Sequence, residues 1–162
     1  MAGISEDERV LERAHRMCEL AVSRKGSFLH RLSKFLVAVV KSKKSTCSEV
    51  LRSAAILALS KFMLLSMKTC LRYMPLFLDC FKNSPSSECR SNLMVAVGDL
   101  CFRFPNVIEK YSEDLYHGIN DKDDYVRQTC IIVMSYLMLN DMVKVRGTIA
   151  DLAQCTIDSN VN

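Results

Sequence analysis

Tryptophan is absent from these 162 residues, proline occurs three times and glycine five times. So few chain breakers, among many Leu, Ala, Met, Ser and Lys, lean towards an all-α chain far from the collagen-like and disordered extremes. No apolar run is long enough to cross a bilayer, since the longest, Cys130 to Leu139, is short and interrupted by Ser135. The beginning of the chain offers Glu6, Asp7 and Glu8 in place of a basic segment and an apolar core, so no secretory signal is visible. The expectation is a soluble protein with no membrane partner. No Gly-rich phosphate loop occurs, the Ser and His residues show no triad logic, and Asp123 and Asp124 already have a use at a helix start. These absences argue against an enzyme, a cofactor and a small-molecule substrate.

Cysteine is plentiful, at eight residues, but it lacks metal-site spacing because no CxxC occurs. Most of these cysteines fall where a helix calls for a small apolar side chain, so reduced, structural thiols in a reducing compartment are expected. His15 and Cys18 stand one helical turn apart with no second pair to complete a tetrahedral site.

Hydrophobic residues make up 49% and charged residues 25%, an ordinary globular balance, and the net charge of +4 permits an acidic partner without demanding one. A chain of this length buries roughly two-thirds of the surface it exposes when unfolded, enough for a sizeable core.

Residues 5–24 read as an amphipathic helix in which Ser5 and Glu8 form a capping box and Val10, Leu11, Ala14, Met17, Cys18 and Ala21 form the apolar side. Gly26 is the expected stop. A second helix, 27–42, carries Phe28, Leu32, Phe35, Leu36, Val39 and Val40, with Arg31, Lys34 and Lys41 in one arc opposite. Lys43 and Lys44 extend that charge, and cations on one face are the electrostatic footprint of nucleic-acid binding, although a solvated helix face has the same look.

From Thr46, read as a capping-box partner of Glu49, the pattern becomes periodic. Leu51, Ala55, Ala58, Leu59 and Phe62 share their offsets with Cys89, Leu93, Ala96, Val97 and Leu100, and again with Val126, Cys130, Val133, Met134 and Leu137. Each set lines one face of a helix. Arg52, Arg90 and Arg127 follow the first members at separations of 38 and 37 residues, which marks an internal repeat. Partner helices lie between, with Pro75 placed in the first turn of one and Ser112 capping another beside Glu113 and Asp114. Paired helices at this period read as a HEAT-type α-solenoid of about three to four stacked repeats, because one pair cannot bury its own apolar face. Asp124 is expected to cap its helix, and each arginine to reach the carboxylate of an adjacent loop.

Gly98-Asp99-Leu100, Arg103-Phe104-Pro105-Asn106, Asp124 with Val126-Arg127, and Leu139-Asn140-Asp141-Met142-Val143-Lys144-Val145-Arg146-Gly147 together resemble the C-terminal HEAT domain of the first non-SMC subunit of condensin. The likeness covers Thr46 to Asp158, is strongest over Arg90 to Gly147, and favours the condensin I type over condensin II. It divides the chain into an N-terminal helix pair, 1–44, and a HEAT-repeat domain, 45–162. The family's subunits are much longer and the last helix lacks a polar capping repeat, so a fragment or a reduced form is expected.

The resemblance implies a non-catalytic part of the complex that compacts mitotic chromosomes. Kleisin and SMC subunits would be its partners, double-stranded DNA or chromatin a further candidate, and the nucleus and chromosome its place, with the cytoplasm outside mitosis. The competing reading is a generic HEAT-repeat scaffold outside chromatin. Lys144 and Arg146, in a turn between helices, are second candidates for phosphate contact. Ser84-Pro85 has the form of a proline-directed phosphorylation site in a polar connector.

Overall fold

A computed structural model describes residues 5–42 and 46–142. Among them the secondary structure is helical, without strands. The chain divides into two compact units, Met1–Tyr73 and Met74–Asn162.

In the first unit α1 spans Glu6–Ser23, α2 Phe28–Lys41 and α3 Glu49–Leu65, and α4, Met67–Asn83, begins there. The capping box at Ser5 is formed, with the Glu8 N–H donating to Ser5 Oγ and the Ser5 N–H to Glu8 Oε2. The chain then turns at Gly26, whose φ of +88° suits a residue without a Cβ, and Ser27 caps α2 by accepting from the His30 N–H. Helices α1, α2 and α3 pack on one another, burying Val22, Val40, Ala55, Ile56, Leu59 and Met63. The expected stripe of α1 is not part of this core. Val10, Leu11, Ala14, Met17 and Cys18 are exposed, Met17 at 72%, and Phe28 and Phe35 of α2 are exposed as well.

The cap of α3 is Ser48, which accepts from the Leu51 N–H at 3.3 Å, rather than Thr46. A cap side chain bonds the amide three residues on, and with the helix starting at Glu49 only Ser48 stands at that distance. Pro75 is likewise not in a first turn: α4 starts eight residues earlier at Met67 and continues through it. The ring removes one amide from the ladder, on an exposed side of a helix anchored by the buried Met74, Phe77, Leu78 and Phe81.

In the second unit α5, Ser87–Arg103, lies against α8, Asp124–Leu139. All five repeat positions of α5 are buried, as are Val126, Cys130, Met134 and Leu137 of α8. The helices come close because Gly98 faces Val133: a Cβ at Gly98 would lie 3.2 Å from Val133 Cγ1. The hydroxyls of Ser91 and Thr129 also meet across the pair at 2.8 Å. The segment joining them is not one long partner helix. It breaks into α6, Pro105–Ile108, a 3₁₀ turn, Glu109–Tyr111, α7, Ser112–Tyr116, and a second 3₁₀ turn, His117–Asn120. Ser112 therefore makes no cap bond and sits buried inside the chain of short turns.

Candidate functional site

Two features carry functional weight, a row of free cations in the first unit and an arginine clamp in the second. On α2, Arg31, Lys34 and Lys41 recur at helical spacing and all three are exposed. No hydrogen bond or ion pair within the described residues engages them. Their charge is left to water and to whatever anion approaches. Lys43 and Lys44, and likewise Lys144 and Arg146, lie outside the described residues.

In the second unit Arg90 is 3% exposed. Its Nε and Nη2 donate to the two carboxylate oxygens of Asp121, each at 2.7 Å, and Nη1 donates to the Ser84 carbonyl at 2.7 Å. Each of the three guanidinium nitrogens thus donates to an oxygen of one of the flanking loops. The hydrogen bonds to Asp121 hold Arg90 above its ordinary value against the opposing effect of burial. Burial pushes the Asp121 carboxyl up, but Arg90, the Asp123 N–H and Lys122 together outweigh it and hold that carboxyl below its usual range.

The next arginine repeats the logic. Arg127 donates to the Asp121 carbonyl and to Asp124 Oδ1, which ties one loop to both helix starts. The cap of α8 is Asp123, whose carboxylate accepts from the Tyr125 and Val126 N–H groups. Asp124, expected as the cap, is instead the first helical residue and serves Arg127. Arg52 departs from the pattern: it lies 4.0 Å from Glu49, and its buried Nε and Nη2 have no hydrogen-bond partner.

Asp121, the acceptor that organises this junction, escaped the sequence reading. The signal for it is a second spacing: Asp121 follows Arg90 by 31 residues, and the same interval leads from Arg52 to Asn83 and from Arg127 to Asp158. Ser84 lines an open cavity of about 660 Å³ together with Pro85, Arg90, His117, Asp121 and Lys122.

The described cysteines are thiols and not disulfides, and among the described residues no cluster of His, Cys, Asp and Glu could hold a metal. Cys18, read as a core residue, is exposed; Cys70, Cys89, Cys101 and Cys130 are buried. Burial pushes the Cys70 thiol up to about 11. No described helix is long and apolar enough to cross a membrane.

Residues 89–162 match the family model of the non-SMC mitotic condensation complex subunit 1. Over 99% of its length the chain is 32% identical to condensin complex subunit 1 of Xenopus laevis, of which it spans 12%. It is 39% identical to the condensin-1 complex subunit CAP-D2 of Arabidopsis thaliana over 67% of the chain and 8% of that relative. The likeness to the condensin-2 complex subunit CAP-D3 of the same plant is weaker, 33% over 62% of the chain. The chain thus spans about an eighth or less of the relatives it matches.

Proposed function

Because the chain belongs to the condensin subunit 1 family, on the condensin I side, we propose that it acts as a non-catalytic HEAT-repeat element of condensin in mitotic chromosome condensation. The observation that carries this reading is that the likeness extends over 99% of the chain and is not confined to the repeat pattern. The partners in this reading are the kleisin and SMC subunits, and its place is the nucleus and the chromosome, with the cytoplasm outside mitosis. Co-purification of the tagged chain with the kleisin subunit from dividing cells is the expected result. A chain that captures no condensin subunit from such cells would count against the proposal and favour a scaffold outside chromatin.

Double-stranded DNA is the second partner we propose, held by phosphate contacts from Arg31, Lys34 and Lys41. Support for it comes from their alignment, exposure and lack of internal counter-charges. Lys43 and Lys44, next along the chain, are proposed to add to this contact, and Lys144 and Arg146 are the runner-up site for phosphate contact. Each neutralised phosphate adds about −0.9 to the slope of log affinity against log salt, so the α2 trio alone gives about −2.7 and the further cations steepen it. Charge reversal of the α2 trio should abolish duplex binding, while duplex binding that persists would move the contact elsewhere.

Ser84 is proposed as a phosphoacceptor. A phosphate there would bring about −1.5 to −2 charges to a loop whose carbonyl already receives Arg90, and would compete with Asp121 for that guanidinium. Phosphopeptide mapping of mitotic material tests it, and an unmodified Ser84 removes the idea.

A further inference from the structure

We propose that a cleft in the first unit receives the phosphate group of a phosphorylated serine or threonine side chain on a partner protein. The cleft measures about 80 Å³, and Lys25, His30, Ser33, Lys68, Thr69 and Arg72 line it. Its residues come from three places in the chain: the end of α1 with the turn after it, the first half of α2 and the start of α4.

Lys25, Lys68 and Arg72 are exposed at the cleft, while His30, Ser33 and Thr69 are buried at its base, with Thr69 8% exposed. No carboxylate lines the cleft, and no hydrogen bond or ion pair within the described residues engages Lys25, Lys68 or Arg72. Three like charges held together without a counter-charge repel one another, so a dianion entering the cleft is favoured by all three at once. The buried polar groups are already oriented. Ser33 Oγ donates to the His30 carbonyl at 2.9 Å, and His30 Nδ1 donates to the Val22 carbonyl at 3.3 Å. The Thr69 hydroxyl has no such partner among the described residues, which leaves a donor at the base for an incoming oxygen.

Size selects among anions. At about 80 Å³ the cleft seats one tetrahedral group, and whatever carries that group stays outside. A phosphomonoester carries about −1.5 to −2 charges at neutral pH and stands at the end of a flexible side chain, so it can reach the buried Thr69. A duplex phosphodiester is flanked by two sugars on a wide rod and meets only the rim. Arginine clusters are the usual readers of such phosphorylated motifs, and Arg72 offers the planar fork that pairs two phosphate oxygens. The site is separate from the α2 trio, since Arg31, Lys34 and Lys41 do not line it, and it stands whether or not the DNA reading does.

The test is a fluorescence-anisotropy titration of the 162-residue chain against three labelled probes: a degenerate peptide pool centred on phosphoserine, the same pool unphosphorylated, and a short mixed-sequence duplex. The phosphoserine pool should bind about tenfold or more tightly than its unphosphorylated counterpart. Arg72→Gln and Lys68→Gln should each weaken that binding about tenfold, the scale of one lost charged hydrogen bond. Arg31→Gln should leave it unchanged. Both cations are exposed, so each variant should keep the wild-type melting temperature. Equal binding of the two peptide pools would overturn the proposal, as would phosphopeptide binding indifferent to Arg72→Gln and Lys68→Gln. Duplex binding lost in Arg72→Gln, with no phosphopeptide binding, would reassign the cleft to nucleic acid and overturn it too.

Discussion

Arg90 carries a positive charge into a place that is 3% exposed, which is tolerated because Asp121 meets it with both oxygens. Removing one partner strands the other. Asp121→Ala should therefore cost about 3–5 kcal/mol in urea denaturation, and Arg90→Met in the same background should restore part of it, because the stranded charge is gone. The pH dependence has a defined sign. Asp121 has a folded value below its unfolded one, so its contribution is present above the ordinary carboxyl value near pH 4 and fades as pH falls through the folded value. The stability gap between wild type and Asp121→Asn should accordingly be full at neutral pH and close in acid. Cysteine reactivity separates by the same physics of burial. Among the described cysteines, iodoacetamide at mildly alkaline pH should label Cys18 first, and Cys70, with its thiol pushed up to about 11, should resist until the chain unfolds. Peptide mapping after timed quenching reads both.

Helix α8 and the turn before it show how closely elements are fitted. A Cβ on Gly118 would come within 2.9 Å of Cys130 Sγ and 3.1 Å of Phe81 Cζ. Gly118→Ala should destabilise by about 1–3 kcal/mol through overpacking, and Gly118→Ala with Cys130→Ala should recover part of that loss, a coupling measurable by thermal melts. Much of this level was legible in advance. The offsets named every buried repeat position of α5, and four of the five positions in α8 are buried. Caps were harder: Ser5 was readable, whereas Ser48 competes with Thr46 two residues before it and Asp123 with Asp124 beside it. Only the position at which the helix starts separates them. Pro75 misled because proline favours a first turn, while Met74, Phe77 and Phe81 hold the helix through it by burial. Periodicity also cannot say whether a stripe is covered. The side of α1 containing Leu11 and Met17 has the same amphipathic wording as a core helix and is exposed.

At the scale of the whole molecule the expected behaviour is that of a binding surface. Duplex affinity should fall steeply with salt and lose that dependence when Arg31, Lys34 and Lys41 are reversed. Phosphopeptide affinity should survive that reversal and fail with Arg72→Gln. With those outcomes, the two titrations would assign separate duties to two basic regions within one unit.

The all-α class, the period near 38 residues, the arginine of each repeat and the condensin resemblance were all determined by the sequence alone. These are properties of local spacing and local wording, which survive without knowing where the chain returns. Tertiary structure decided which carboxylate Arg90 meets, which apolar stripe stays in water, and that Lys25, Lys68 and Arg72 share one cleft. Lys25 and Lys68 stand 43 residues apart in the chain. Their proximity depends on how α1, α2 and α4 come together, and no local pattern encodes that.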